Sequence, residues 1–204
     1  MSCECPMVWE AIQASSAQLM AAILANAGDD PNLQSTSNIS YAVFRAQELS
    51  FEYRQMIWDI LEENMAAMFI ASTSFKWDPE GKRGDLFHPD SRFIAVLDEE
   101  SKLIAYTMFR FEYEDEEMLI YCYELQVVPS GQGGGLGKRL MRYLAVIGTE
   151  WHMQKLMLTV FNNNAPAMEL YRKLGFVADS TSPYPGEIME DGGIVDYSIL
   201  SVSL

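Results

Sequence analysis

Ser130-Gly131-Gln132-Gly133-Gly134-Gly135-Leu136-Gly137-Lys138-Arg139 is the stretch from which the rest of this chain is read. It follows an apolar run, Tyr121 to Val128, that reads as a strand, and it opens a helix expected from Lys138 to about Trp151. Four glycines in the five positions from Gly133 to Gly137 leave the backbone bare. About six N–H groups then converge at a helix N-terminus, where the helix dipole also favours negative charge. That chemistry suits a phosphate. The alternative is a glycine-rich turn with no ligand.

The usual phosphate-loop patterns do not fit. A P-loop needs a glycine where Gln132 stands and a hydroxyl residue where Arg139 stands. The dinucleotide fingerprint fails because its third glycine falls on Leu136 or Lys138. The pattern Q/R-x-x-G-x-G/A does fit, as Gln132 to Gly137.

Composition narrows the classes. The 204 residues suffice for one sizeable core, and 49% hydrophobic residues with 12% aromatics describe a packed globular domain. A net charge of −15 argues against direct binding to nucleic acid and suits a basic partner, although solubility alone also explains it. Cys3, Cys5 and Cys122, with His88 and His152, cannot be assembled into a zinc set at normal spacing, so no metal is expected. The cysteine usage reads as a reducing, intracellular compartment. No basic n-region opens the chain and no apolar run reaches the ~18 residues of a membrane span, so neither a signal peptide nor a membrane partner is expected.

Along the chain, Val8 to Ala27 reads as one amphipathic helix stopped by Gly28, and Asp29 to Asn38 as a linker. Ile39 to Ala46 alternates like a strand. Ser50 caps a helix expected to reach Ala71. Ser72 to Ser91 reads as a long polar connection. Strands follow at Arg92 to Leu97, Leu103 to Tyr113 and Met118 to Val128, the last nearly all apolar and therefore central. After the glycine loop and its helix come a strand, Leu156 to Phe161, a short helix, Ala165 to Leu174, and a last strand, Ile194 to Val202. The order gives a single α+β domain over 1–204, with 1–38 as helix and linker.

The glycine pattern resembles the coenzyme A pyrophosphate loop of the GNAT acetyltransferases. So does the segment from Asn162 to Phe176, whose Asn162-Asn163-Asn164-Ala165 and Tyr171-Arg172-Lys173-Leu174-Gly175-Phe176 are similar to that family's N-x-x-A and (Y/F)-x-x-x-G-F ending. The resemblance implies a GNAT fold: a mixed, mostly antiparallel sheet splayed after its fourth strand, flanked by helices, here with an extra N-terminal helix. It also implies acetyl-CoA as co-substrate.

Within the family, Phe109-Arg110-Phe111-Glu112, Tyr121-Cys122-Tyr123-Glu124, Leu158-Thr159-Val160-Phe161 and Tyr197-Ser198-Ile199-Leu200 look like the NatD-type N-terminal acetyltransferases. Those modify the α-amine of histone H4 and histone 2A, whose tails begin Ser-Gly-Arg-Gly. Two departures stand out. Gln132 opens the loop where relatives are more basic, and Phe69 lacks a phenolic hydroxyl. The second aromatic of that pair is Trp77 or Phe75, after a one-residue gap.

Acetyl transfer to an amine needs a proton acceptor, donors for the carbonyl oxygen, and alignment. Glu124 is a carboxylate in an apolar strand, costly unless partnered or functional, and is read as the general base, directly or through a water. The alternative is a structural ion pair. Tyr171 is read as the acid for the departing thiolate, or as a core aromatic. The resemblance assigns Leu125, Gln126 and Val127 to the pantetheine arm. Gln132, Gly133, Gly134, Gly135, Leu136, Gly137 and Lys138 go to the pyrophosphate, and Asn164 to the coenzyme beyond the splay. For the peptide it assigns Phe69 and Trp77 as flanking aromatics, with Tyr123, Thr159 and Tyr197 as hydroxyl donors. Five acids lie among Glu112 to Glu117, and Glu112 and Glu114, on one face of the strand, form a socket for the third-position arginine. The alternative there is a solvated hairpin.

The expectation is an acetyl-CoA-dependent N-α-acetyltransferase acting by direct attack in a ternary complex on histone H4 and histone 2A tails. It would be a monomer found in cytoplasm and nucleus. Two rivals stay open: a GNAT enzyme for a small amine or another protein terminus, and a non-catalytic coenzyme A-binding module.

Overall fold

The computed structural model describes residues 5–26, 38–184, 186–189 and 192–204. Cys3, the Gly28 stop and linker residues 29–37 lie outside them. The chain runs α1 (Pro6–Gln13), α2 (Ser16–Asn26), β1 (Ile39–Arg45), α3 (Phe51–Ala71), α4 (Pro79–Leu86), β2 (Arg92–Asp98), β3 (Leu103–Glu114), β4 (Glu117–Val127), α5 (Leu136–Glu150), β5 (Lys155–Phe161), α6 (Ala165–Lys173), β6 (Val177–Ala178) and β7 (Tyr197–Ser203). The strands form one open sheet in the order β1-β2-β3-β4-β5-β7-β6. All neighbours are antiparallel except β4 and β5. This is the GNAT-type sheet expected from the sequence.

Two apolar clusters hold the sheet between its helices. On one face, Ile94, Phe109, Ile120 and Cys122 pack with Leu19 and Ile23 of α2 and with Leu140, Leu144 and Ile147 of α5. On the other, Phe93, Ala95 and Tyr106 pack with Ile57, Trp58 and Leu61 of α3 and Leu86 of α4.

The parallel pair decides where a ligand can go. β4 and β5 pair from Leu119↔Lys155 to Cys122↔Leu158, and there the pairing stops. Beyond that point the β5-facing edge of β4, Tyr123 to Val127, has no neighbouring strand. Tyr121 Oη and Thr159 Oγ1 lie 2.5 Å apart just past the last pair and pin the fork. On the other side of β4 the register to β3 shifts between Met108↔Glu124 and Phe109↔Cys122, leaving Tyr123 as the extra residue of a bulge.

Five elements differ from the sequence reading. The first helix is two: Ala14 is extended (φ −53°, ψ 131°) and Ser15 starts α2 with a reciprocal cap. Ser15 N–H donates to Gln18 Oε1 at 2.9 Å and Gln18 N–H to Ser15 Oγ at 3.2 Å. The connection from Ser72 to Ser91 contains α4, capped by Asp78 on Gly81 N–H at 3.1 Å and begun by Pro79. The helix α5 starts at Leu136, before Lys138, because Gly135 takes the left-handed cap conformation (φ 83°). The last strand begins at Tyr197, since Ile194 only bridges Ile188, and β6 is an additional short strand.

Candidate active site

The fork between β4 and β5 opens into a cavity of about 450 Å³. The bulge at Tyr123 sets what faces it. Cys122, Leu125 and Val127 belong to the α5 side of the sheet. Tyr123 belongs to the α3 side, and Glu124 and Gln126 are joined to groups of α4 and α3. Strict alternation would put Glu124 with Cys122. The extra residue turns it to the α3 and α4 side of the cavity instead.

Glu124 is 6% exposed and fully partnered. Lys82 Nζ of α4 lies 2.6 Å from its Oε1, and Gln126 Nε2 donates to Oε2 at 2.8 Å. Gln126 is held in turn by Asn64 of α3, whose Nδ2 donates to Gln126 Oε1 and to Val127 O, both at 3.0 Å. Lys82, Asn64, and Asp78 and Asp85 of the cavity wall were not found from the sequence. The Asp78-Pro79 start signal was the available clue to the element that carries Lys82.

Of the residues assigned from the sequence, Glu124, Leu125, Gln126, Asn164 and Tyr171 line the cavity. Asn164 Oδ1 caps α6 by accepting Ala167 N–H at 3.3 Å, which leaves its Nδ2 as the group that could donate to a ligand. The Tyr171 phenol is pushed well above its ordinary range, chiefly by burial, with Glu124 adding to it, so it stays a neutral donor. Burial, with Glu124 close by, likewise pushes the Cys122 thiol up to about 12, despite its contact with Thr107. Cys122 is no nucleophile there.

Phe69, Tyr123 and Thr159 also line the cavity. Phe69 meets the Phe161 ring edge-on at 5.1 Å, and Phe75 lies 5.6 Å from the same ring. Trp77 lies behind them, 5.7 Å from Phe69 and stacked on Trp58 at 5.8 Å. Tyr197 reaches the wall through Phe75, at 4.9 Å. Glu112 and Glu114 do not line the cavity. Glu112 accepts from Tyr123 Oη at 3.1 Å, with its carboxyl pushed up by burial and only partly drawn back by Tyr123 and Arg110. Glu114 is exposed, close enough to act on both Glu112 and Tyr121. The two acids therefore flank the rim.

The glycine loop continues from the end of β4. Gly133 and Gly135 have φ of 79° and 83°, and a Cβ on Gly134 would meet Gly131 O at 3.3 Å. The first helical bond of α5 runs from Arg139 N–H to Gly135 O at 3.1 Å. Among the described residues, the amides of Gly133 to Lys138 donate to no backbone carbonyl. Gln132 Nε2 donates to Val127 O at 3.3 Å, so its side chain braces the loop. Gly137 differs from the others: a Cβ there would press on Leu170 at 3.3 Å, so its bareness lets α5 and α6 approach. Open amides at a helix N-terminus beside an unpaired strand edge fit an extended thioester carrier with a pyrophosphate.

The model of the acetyltransferase (GNAT) family matches residues 50–176, from the cap of α3 through Phe176. This chain belongs to that family. Streptothricin acetyltransferase of Streptomyces lavendulae is 31% identical to this GNAT chain over 87 residues, 43% of this chain and 45% of that protein. N-alpha-acetyltransferase 40 of Saccharomyces cerevisiae is 35% identical over 74 residues, 33% of this chain and 26% of that protein. The chain spans less than half the length of either relative. Among solved structures, the NatC complex bound to Gag peptide and CoA is similar with a TM-score of 0.59 at 17% identity, over 82% of this chain and 99% of that one. That likeness is one of fold. Among the described residues, no cluster of metal-ligating side chains occurs and no helix is long and apolar enough to cross a membrane.

Proposed function

We propose that this GNAT chain transfers an acetyl group from acetyl-CoA to the N-terminal α-amine of a protein, with the NatD-type tails of histone H4 and histone 2A as its substrates. The observation that carries acetyl transfer is the Glu124 carboxylate, buried at the fork of β4 and β5 and open to the cavity. The likeness to the yeast N-alpha-acetyltransferase 40 favours a protein terminus, and an overall charge of −15 with acids at the rim favours a basic tail. Such substrates would place the enzyme in the cytoplasm and nucleus.

Bound acetyl-CoA would supply an activated acetyl thioester. Gly133 to Lys138 would hold its pyrophosphate, and the strand edge at Leu125 and Val127, where the Val127 carbonyl is already taken by Asn64 and Gln132, its pantetheine arm. Every other role falls to the chain's own side chains. Phe69, Phe75 and Tyr123 enclose the amine and exclude water. Glu124 receives the proton that the nitrogen sheds as it acylates. Tyr171, a phenol on the cavity wall, donates a proton to the departing sulfur.

A second reading has its own support, because the streptothricin acetyltransferase of Streptomyces lavendulae aligns over a longer stretch, 87 residues. A direct competition separates the two. The enzyme is given a Ser-Gly-Arg-Gly peptide and streptothricin at equal concentration with acetyl-CoA. The expected result is acetylated peptide alone. Acetylated streptothricin alone would replace the protein substrate with a small amine.

A further inference from the structure

Lys82 stands where an amine substrate's nitrogen belongs. Its Nζ lies 2.6 Å from Oε1 of Glu124 and 5.1 Å from the centre of the Phe69 ring, on the cavity wall. The other carboxylate oxygen is taken by Gln126 Nε2 at 2.8 Å. Glu124 therefore already holds one cation and one amide donor. A second ammonium drawn to the same carboxylate would lie beside Lys82 at a buried Glu124, where like charges repel more than in open water.

We propose that Lys82 is a positioning residue that fills the cation site of Glu124, so that the substrate amine enters uncharged. This rests on the reading of Glu124 as proton acceptor for an α-amine. The step then balances in one order. The neutral nitrogen bonds to the acetyl carbon and gains positive charge. Glu124, paired with Lys82, takes one proton from it. The carbon–sulfur bond breaks, and the sulfur leaves as a thiol with a proton from the Tyr171 phenol, which regains one as Glu124 gives up its own. Deprotonation of the free amine belongs to the solvent, and an α-amine, with an ordinary pKa near ~8, supplies far more neutral form at neutral pH than a lysine amine near ~10.4.

Other charged or titratable groups face the pair from each neighbouring element: Asp85 of α4, its cap Asp78 and Lys76 before it, Tyr106 of β3, Tyr121, Cys122 and Tyr123 of β4 and Tyr171 of α6. Burial, then the charge of Glu124, pushes the Tyr106 phenol up, as it does the Cys122 thiol. Those two groups and Tyr171 stay neutral through the range of the test.

The test compares wild type, Lys82→Met and Lys82→Arg, each checked for folding by circular dichroism. Two quantities are measured: kcat/KM on a free-α-amine Ser-Gly-Arg-Gly peptide from pH 6 to 9, and calorimetric affinity for that peptide with coenzyme A present at pH 6.5 and 8.5. In wild type and Lys82→Arg, kcat/KM should rise roughly tenfold per pH unit below the amine's pKa, and the peptide should bind more tightly at pH 8.5. In Lys82→Met the bare carboxylate should bind the ammonium itself, flattening the kinetic profile and making binding at pH 6.5 at least as tight as at pH 8.5. A folded Lys82→Met whose profile and affinities superimpose on wild type overturns the proposal. If wild type acetylates no α-amine peptide, the functional reading falls, while the binding measurements still decide the role of Lys82.

Discussion

Glu124 shows how much one residue reveals and how much its surroundings add. A lone carboxylate in an apolar strand is conspicuous in the sequence, because burial without a partner is costly. Its partner was not legible, since Lys82 comes from a different element and meets it only in the fold. Nor was the bulge at Tyr123, because one extra residue in a ladder leaves no mark on hydropathy. Glu124→Gln should lower kcat by roughly 10²–10⁴ while leaving coenzyme A affinity nearly unchanged. Steady-state kinetics beside calorimetry would show it, and wild-type turnover in the variant would demote Glu124 to structure. The acids at the rim can be tested at the same scale. Glu112→Gln with Glu114→Gln keeps an acceptor for Tyr123 but removes both charges. Losing an arginine contact with the half-buried Glu112, helped little by the exposed Glu114, should raise KM for a Ser-Gly-Arg-Gly peptide about tenfold. KM for the peptide with alanine at the third position should barely change. Equal losses on both peptides would remove the arginine socket.

At the scale of elements, periodic segments were legible and weakly patterned ones were not. The Ser50 cap and the apolar face of α3 located that helix to its ends, and Ser50 Oγ does accept Tyr53 N–H at 3.3 Å. The α4 sequence Pro-Glu-Gly-Lys-Arg-Gly-Asp-Leu carries two glycines and buries only Leu86, so no hydrophobic period announces it. The division of α1 from α2 was encoded in Ser15 and Gln18, but a continuous apolar stripe masked it. The glycine loop gives a contrast to measure. A β-branched residue does not hold φ near 83°, so Gly135→Val must reshape the loop and scatter its amides. Coenzyme A affinity should fall about tenfold or more with the fold retained. Gly137→Val should instead lower the melting temperature, because its side chain presses on Leu170. Unchanged coenzyme affinity in a folded Gly135→Val would leave the cradle without support.

Across the whole molecule, ion pairs tie the centre of the sheet to one of its edges. Lys155 of β5 contacts Glu117 of β4 and, at 3.1 Å, Asp179 beyond β6. Burial alone would raise the Asp179 carboxyl, but hydrogen bonds from Thr181 and Ser201 and the contact with Lys155 outweigh it and hold the group well below its usual range. A carboxyl depressed in the folded state contributes stability above its unfolded pKa of ~3.9, and that contribution is lost as pH falls through the folded value. Asp179→Asn should therefore melt several degrees lower at pH 7 and lose less on acidification from pH 5 to pH 3 than wild type, as thermal unfolding across that range would record. Parallel melting curves at every pH would show that Asp179 contributes nothing through its charge.

The most direct measurement for the whole molecule is acetyl transfer from acetyl-CoA to a Ser-Gly-Arg-Gly peptide bearing an internal lysine. It is compared with the same peptide blocked at its α-amine, and the modified nitrogen is located by mass spectrometry. The expected result is acetylation of the free α-amine and none of the blocked peptide. Equal acetylation of both peptides at the lysine, or of neither, would contradict an N-terminal acetyltransferase.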